Sequence, residues 1–172
     1  IQVEKSPDIT ITTTAQPQTD LRNLRVLIVD DNAANRLILR HQVSAWGMQS
    51  ELAEDGYQAL ACLARAAEQA RPFDLALLDL QMPGMDGIEL AHAIKNHPLL
   101  GSIKLALLTS IGAPEEQAQA RQAGIEIYLT KPVRPARLFS CLASLMDQAP
   151  KPVTITSPRG SHCTDKAVPS PR

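Results

Sequence analysis

Five short apolar runs alternate along the chain with five segments of helical period, and this alternation constrains the fold more than any other feature. Apolar runs of that length, bounded by turn residues, are typical of buried strands, and strands separated by helices form βαβ units. The sequence therefore predicts an α/β domain with a parallel sheet. The predicted strands are 24–30, 48–53, 73–80, 103–109 and 125–130, and the predicted helices are 32–47, 56–70, 87–96, 114–124 and 134–146.

The polarity of the strands predicts their order in the sheet. Strands that are buried on both faces are continuously apolar, and the first, third and fourth strands have that character. The second, "MQSELA", and the fifth, "IEIYLT", alternate apolar and polar residues, so we place them at the edges. Right-handed crossovers then favour the order 2-1-3-4-5, the flavodoxin-like doubly wound arrangement with five flanking helices. Ligands of such sheets bind beyond the carboxyl ends of the strands, where the winding direction switches.

Composition separates one central domain from the two ends of the chain. Residues 1–21 are rich in Thr, Gln, Asp and Pro, and residues 149–172 are rich in Pro, Ser and Thr. We expect both ends to be flexible linkers and residues 22–148 to form the folded domain. Because the chain begins with Ile1 rather than Met, we also expect it to be part of a longer protein.

Charge, cysteine content and hydropathy exclude several classes of function. The net charge of −1 gives no bias towards nucleic acid or anionic membranes. Three cysteines without metal-ligand spacing indicate reduced thiols and hence a cytoplasmic location. No apolar run approaches ~20 residues, so any membrane attachment is expected to come from the parent protein, through an anchor in the inner membrane.

Turn and cap residues punctuate the predicted elements. Asn32 is placed to cap the first helix, and Gly47 is placed to end it. Pro83, Gly84 and Gly87 follow the third strand, where they are predicted to form and shape a turn without chemistry of their own.

Polar residues stand at or after the carboxyl ends of four predicted strands. They are Asp30 and Asp31 on the first strand, Asp79 on the third, Thr109 and Ser110 on the fourth, and Lys131, which precedes Pro132, after the fifth. Since the first and third strands are neighbours, their three carboxylates should converge and repel one another. Mg²⁺ prefers oxygen ligands and would relieve this repulsion. With a lysine and a hydroxyl opposite, the sequence predicts a pocket for a phosphoryl group and one aspartate as nucleophile.

Four motifs in this order, "VDDN", "LLDLQMPGMDG", "LLTS" and "YLTKP", resemble those of the receiver domain of two-component response regulators. The resemblance covers about residues 24–146 and implies that Asp79 is the phosphoacceptor. It also implies that Asp31, Asp79 and the backbone carbonyl of Gln81 bind Mg²⁺ directly, whereas Asp30 acts mainly through water.

The same resemblance assigns roles to the remaining polar residues of the pocket. It implies that Thr109 binds a phosphoryl oxygen, that Lys131 pairs with the phosphoryl group, and that Tyr128 is the switch aromatic. It makes a cis bond before Pro132 the expected form, which costs only about 0.5–1 kcal/mol relative to trans. Without the resemblance, Thr109 would be interpreted as a β-favouring strand residue, and for Tyr128 a surface position on an edge strand is the alternative.

The resemblance implies a signalling switch or relay rather than a turnover enzyme. A phosphohistidine on a kinase core would donate the phosphoryl group, and a histidine phosphotransfer domain would be a further partner. The segment "KPVRPARLFSCL" resembles receivers inside hybrid sensor histidine kinases, so the parent protein is expected to be such a kinase. The alternative is a stand-alone single-domain response regulator that acts through protein contacts.

Two further interpretations stay open at this point. In a pseudo-receiver, Asp79 would pair with Lys131 for stability alone, and the domain would bind partners without phosphorylation. A hydrolase of the haloacid dehalogenase type would use an aspartate of the first strand with a second acid two residues later. Here Asn32 stands two residues after Asp30, so that spacing fails.

Overall fold

A computed structural model of the chain describes residues 20–147 as a five-stranded parallel sheet flanked by five helices. The strands are β1 Arg25–Val29, β2 Gln49–Ala53, β3 Leu75–Asp79, β4 Lys104–Thr109 and β5 Ile127–Thr130. The helices are α1 Ala33–Ala45, α2 Gly56–Glu68, α3 Gly87–Asn96, α4 Pro114–Gln122 and α5 Pro135–Asp147. All ten predicted elements are confirmed, and none of their ends differs from the predicted one by more than two residues.

The strand order β2-β1-β3-β4-β5 confirms the prediction from strand polarity. Every residue of β3 is buried, whereas β2 alternates exposed and half-buried positions before it ends at the buried Ala53. β1 and β3 are parallel neighbours, with Val29 opposite Leu78. The residues that follow these two strands therefore meet at one edge of the sheet.

Each face of the sheet has its own apolar core, as the doubly wound arrangement requires. On one face the core is completed by Ala59 and Leu63 of α2, Leu90 and Ile94 of α3, and Ala120 of α4. On the other face it is completed by Leu39 and Val43 of α1 and by Leu138 and Leu142 of α5. This packing holds the strands rigidly and fixes the positions of the side chains at their carboxyl ends.

Side-chain caps fix where the helices near that edge begin. Asn32 caps α1, as predicted, because its side chain accepts hydrogen bonds from two backbone N–H groups of the first turn. Asp86 caps α3 and forms a capping box with Glu89. Gly47 lies just after α1 with a φ of +77°, a conformation that glycine adopts without strain.

One residue at the end of the predicted amino-terminal linker packs into the domain. Leu21 is only 2% exposed and lies in the core with Val26 and Val43. Residues 1–19 and 149–172 of the two predicted linkers lie outside the described part of the chain, so their flexibility stays a prediction. None of the helices among residues 20–147 has the length and apolarity that crossing a bilayer requires.

Candidate functional site

Three carboxylates converge at the carboxyl ends of β1 and β3, as predicted. Carboxylate oxygens of Asp30, Asp31 and Asp79 all lie within 4.8 Å of one another. Asp30 and Asp79 are buried, at 0% and 5% exposure, whereas Asp31 is exposed. Crowding of negative charge at a partly buried place costs free energy unless positive charge lies nearby.

Lys131 supplies positive charge to this cluster from the end of β5. Its Nζ lies 2.8 Å from Oδ2 of Asp30 and 3.0 Å from Oδ1 of Asp79. The bond between Lys131 and Pro132 is cis, as predicted. Burial on its own lowers the pKa of Lys131, but the hydrogen bonds to Asp30 and Asp79 outweigh burial and raise the pKa above its ordinary value. The ammonium group therefore stays charged at neutral pH.

The pKa of Asp79 is raised above that of an ordinary aspartate. Burial is the largest cause, and the negative charge of Asp30 adds to it. Lys131 and a hydrogen bond from the backbone of Gln81 act in the opposite direction without cancelling the effect. Three carboxylates thus face one ammonium group, and this excess of negative oxygen ligands is the donor set that fits Mg²⁺.

Asp30 is held by its neighbours more completely than the other two carboxylates. Its Oδ2 accepts a hydrogen bond from Lys131, and its Oδ1 accepts one from the backbone N–H of Asn32 at 2.9 Å. The side-chain amide of Asn35 donates to the same Oδ1 at 3.3 Å. With both oxygens already engaged, Asp30 has less capacity to bind a cation directly, which agrees with the expected role through water.

The loop after Asp79 depends on two glycines for different reasons. Gly84 has a φ of +82°, in the left-handed region that glycine adopts without strain. Gly87 is the first residue of α3, and its backbone N–H donates to the carbonyl of Leu80 at 3.0 Å. A Cβ atom there would lie 2.7 Å from Cδ1 of Leu107 and still closer to the carbonyl oxygen of Asp79. Gly87 is therefore a close-packing residue beneath Asp79 and not part of the turn itself.

Gly87→Ala is expected to destabilise the domain by about 2 kcal/mol, because overpacking against backbone forces the end of β3 to shift. Gly101→Ala is the matched control, because the nearest atom to a Cβ there is a carbonyl oxygen at 3.6 Å. Urea unfolding of both variants checks this expectation, and equal stability of the two would contradict it.

Thr109 and Tyr128 meet at one backbone carbonyl beside the cluster. The Thr109 hydroxyl, which is fully buried, donates to the carbonyl of Ile111 at 2.8 Å. The half-buried Tyr128 places its hydroxyl 3.1 Å from the same carbonyl and 2.9 Å from Oε2 of Glu116 in α4. Burial and the hydrogen bond to Glu116 raise the pKa of Tyr128. The two predicted switch residues thus share one acceptor.

The structure brings together the side chains of the predicted pocket, Asp30, Asp31, Asp79, Thr109 and Lys131, at one edge of the sheet, while Tyr128 adjoins them through Ile111. The implied role of the Gln81 carbonyl as a metal ligand stays a prediction, and Pro83 lies exposed in the loop.

Sequence reasoning missed one residue at this edge. Arg36 of α1 donates hydrogen bonds to the backbone carbonyls of Asp30 and Asp31. Its position on α1, one helical turn after the capping Asn32, is the signal that could have indicated this contact, because residues four apart lie on the same helix face.

A doubly wound sheet with three carboxylates and a lysine at its carboxyl edge defines the class of receiver domains. A family model described as the response regulator receiver domain matches residues 26–143. The chain belongs to this family.

Known relatives and solved structures agree with this assignment. The chain is 35% identical over 121 residues to the response regulator PleD of Caulobacter vibrioides, and the aligned region covers 70% of this chain and 26% of PleD. It is 36% identical over 125 residues to the sensor protein GacS of Pseudomonas syringae, and the aligned region covers 71% of this chain and 13% of GacS. The structure of the chemotaxis protein CheY4 of Vibrio cholerae matches with a TM-score of 0.64 and 30% identity, over 72% of this chain and 98% of that one.

Proposed function

We propose that this receiver domain accepts a phosphoryl group on Asp79 from a phosphohistidine and acts as a signalling switch or relay. The observation that carries the proposal is the position of Lys131, whose Nζ lies 3.0 Å from Oδ1 of Asp79 within a cluster of three carboxylates. A buried carboxylate with a raised pKa, beside an ammonium group and excess negative charge, is typical of a functional site.

The residues of the site suit phosphoryl transfer, which needs positioning and charge stabilisation more than covalent chemistry. A carboxylate oxygen of Asp79 attacks phosphorus, and the bond from phosphorus to the histidine nitrogen breaks with its electron pair going to the imidazole. The Lys131 ammonium stabilises the negative oxygens of the phosphoryl group, and the Thr109 hydroxyl donates to one of them. The product is an acyl phosphate on Asp79.

Asp31, Asp79 and the backbone carbonyl of Gln81 would hold Mg²⁺, with Asp30 acting through water. When bound, the cation would supply the positive charge that the three carboxylates lack and would neutralise charge on the transferred group. The exposed position of Asp31 leaves its oxygens accessible to an incoming ion.

Treatment of the protein with acetyl phosphate tests the proposal. A mass increase of about 80 Da, one phosphoryl group, is expected when Mg²⁺ is present and not when a chelator removes it. Absence of the increase under both conditions would favour the pseudo-receiver, which binds partners without phosphorylation. Release of inorganic phosphate from many turnovers of an unrelated phosphomonoester would favour the hydrolase.

The context of the domain belongs to this proposal as well. The chain spans 26% of PleD and 13% of GacS, so a longer parent protein is compatible with both relatives. The similarity to the sensor protein GacS supports a hybrid sensor histidine kinase, in which a kinase core and a histidine phosphotransfer domain are the partners. In a hybrid kinase, the domain would comprise residues 22–148 between two linkers and would lie in the cytoplasm. Only the parent protein would attach it to a membrane. The alternative is a stand-alone response regulator, and the chain matches 98% of the chain of CheY4.

Thr109→Ala is expected to leave Asp79 able to accept phosphate but to weaken the response of Tyr128. In the wild type, the Thr109 hydroxyl would turn to a phosphoryl oxygen and release the carbonyl of Ile111, to which the Tyr128 hydroxyl is also close. The Tyr128 ring could then reorient within the surface formed by α4, β5 and α5. NMR of the Tyr128 ring with and without beryllofluoride measures this.

Thr130→Ala is the matched control for this experiment, because Thr130 lies opposite Thr109 in the β4–β5 register but is exposed. It should respond like the wild type. An unaltered Tyr128 signal in the activated wild-type protein would place the responding surface elsewhere.

A further inference from the structure

Arg36 joins helix α1 to the backbone of two carboxylate residues of the site. Its Nη1 donates to the carbonyl oxygen of Asp30 at 2.5 Å and to the carbonyl oxygen of Asp31 at 3.0 Å. Both carbonyls lie beyond the last residue of β1, Val29, so they follow the regular part of the strand. The side chain is half-buried, which limits its freedom to leave this position.

These two hydrogen bonds constrain the backbone on both sides of Asp31. The carbonyl of Asp30 belongs to the peptide unit that precedes the Cα atom of Asp31, and the carbonyl of Asp31 belongs to the unit that follows it. Each peptide unit is planar, so holding both carbonyl oxygens against one nitrogen of Arg36 restricts φ and ψ of Asp31. The range of directions open to its Cβ atom, and with it the range of positions open to the carboxylate, is then narrower.

Asp31 depends on this contact more than its neighbours do. The Asp30 carboxylate is held by Lys131 and Asn32, and the Asp79 carboxylate by Lys131. Among residues 20–147, no donor forms a hydrogen bond with the carboxylate of Asp31, which is exposed. Its orientation toward the cluster therefore rests on its backbone conformation.

We propose that Arg36 is a positioning residue that orients Asp31 for Mg²⁺ binding through the backbone carbonyls of Asp30 and Asp31. This inference rests on the proposed function, in which Asp31 is a direct ligand of the metal. Groups that orient metal ligands from outside the coordination shell change metal affinity by about 10- to 100-fold when they are lost.

The charge of Arg36 and its hydrogen bonds have opposite effects on Mg²⁺ affinity, so the sign of the change in affinity tests the proposal. A guanidinium group near the cluster repels a divalent cation, so removal of the charge alone would tighten Mg²⁺ binding. Removal of the hydrogen bonds would weaken binding, because the metal would then have to order the backbone of Asp31. The repulsion is screened at physiological ionic strength, whereas the hydrogen bonds are short and fixed, so the weakening is expected to prevail.

The test is a titration of the full chain with Mg²⁺ in the absence of a phosphodonor, in which amide NMR signals report the binding. Arg36→Gln keeps a polar helix-forming residue but loses the reach and charge, and we expect its dissociation constant to be about tenfold higher than that of the wild type. Arg36→Lys keeps the charge and N–H donors without the guanidinium geometry and should give an intermediate value. Arg40→Gln is the matched control, since Arg40 is exposed on the same helix one turn later, and it should leave the affinity within about twofold of the wild type.

The outcomes separate this inference from the proposed function. If the wild type binds Mg²⁺ and Arg36→Gln binds it equally well or more tightly, the positioning role is overturned while the proposed metal site stands. An equal loss in Arg40→Gln would also overturn it, because Arg40 does not contact the carbonyls of Asp30 and Asp31, and the loss would then have another cause. If the wild type binds no Mg²⁺, the metal site and this inference fail together. Urea unfolding in the presence of a chelator shows whether Arg36→Gln folds. If it does not fold, the Mg²⁺ affinity of Arg36→Lys decides: weaker binding than in the wild type supports the positioning role, and wild-type affinity overturns it.

Discussion

Asp79→Asn is expected to abolish phosphorylation by acetyl phosphate while the domain remains folded. Asparagine has nearly the same shape as aspartate but lacks a nucleophilic carboxylate oxygen, so no acyl phosphate forms. The fold should tolerate the change because burial and the charge of Asp30 raise the pKa of the Asp79 carboxyl, so its ionised form is unfavourable in the folded state and asparagine removes that charge. Lys131 keeps its second partner, Asp30, at 2.8 Å. Intact-mass spectrometry measures the loss, and urea unfolding measures the stability.

Asp86→Asn is the matched control for this prediction. Asp86 lies in the loop between β3 and α3 and caps α3, outside the three-carboxylate cluster. Asparagine is as good an N-cap as aspartate, so the helix should keep its start. This variant should therefore be phosphorylated like the wild type. A mass increase of the full size in Asp79→Asn would contradict the assignment of the phosphoacceptor.

Lys131→Met is expected to destabilise the metal-free domain by about 3 kcal/mol at pH 7. Removal of one partner from a buried ion pair leaves the other charge unpaired, which typically costs about 3–5 kcal/mol, and the partial exposure of Lys131 favours the lower end. Two carboxylates, those of Asp30 and Asp79, lose their ammonium partner at once. Urea unfolding in a chelator measures the effect. Phosphorylation should also slow, because no ammonium group then stabilises the phosphoryl oxygens.

The pH dependence of this loss follows from the pKa of Asp79. Its pKa is raised in the folded state, so its ionisation costs folding free energy at neutral pH, and the cost disappears as the pH falls through that raised pKa towards the value of the unfolded chain. Without Lys131, which lowers the pKa of Asp79, the pKa rises further. The difference in stability between Lys131→Met and the wild type should therefore be largest at neutral pH and narrow on acidification.

Lys104→Met is the control for the loss of a lysine. Its Nζ lies 3.9 Å from a carboxylate oxygen of Glu126, a long ion pair between two partly exposed side chains, which should contribute no more than about 1 kcal/mol. A loss in Lys131→Met no larger than that of Lys104→Met would mean that the buried carboxylates do not depend on Lys131.

The features that the sequence predicts correctly are those that follow from periodicity and strand polarity. The continuous apolar run of β3 and the alternation of β2 determine which strand is central and which is at the edge. Once the order is known, the positions of Asp30, Asp79 and Lys131 at the ends of their strands place them together, because parallel strands end at the same edge of the sheet. No contact has to be known in advance for this part of the site.

The features that the sequence does not predict depend on distances between segments that only the folded chain brings together. Gly87 has the appearance of a turn glycine, but its need for close packing arises from the carbonyl of Asp79 and the side chain of Leu107. The spacing of Arg36 from Asn32 indicates its helix face, but its contact with the carbonyls of Asp30 and Asp31 depends on the turn that joins β1 to α1 in the folded chain.

The most direct test of phosphoryl transfer to Asp79 is to locate the modified residue by mass spectrometry of peptides. The wild-type protein is treated with acetyl phosphate and Mg²⁺, digested, and analysed before and after hydroxylamine, which cleaves acyl phosphates. We expect an increase of about 80 Da on the peptide that contains Asp79, lost on treatment with hydroxylamine. A stable increase on a peptide that contains a histidine, serine or threonine but not Asp79 would contradict the proposed function.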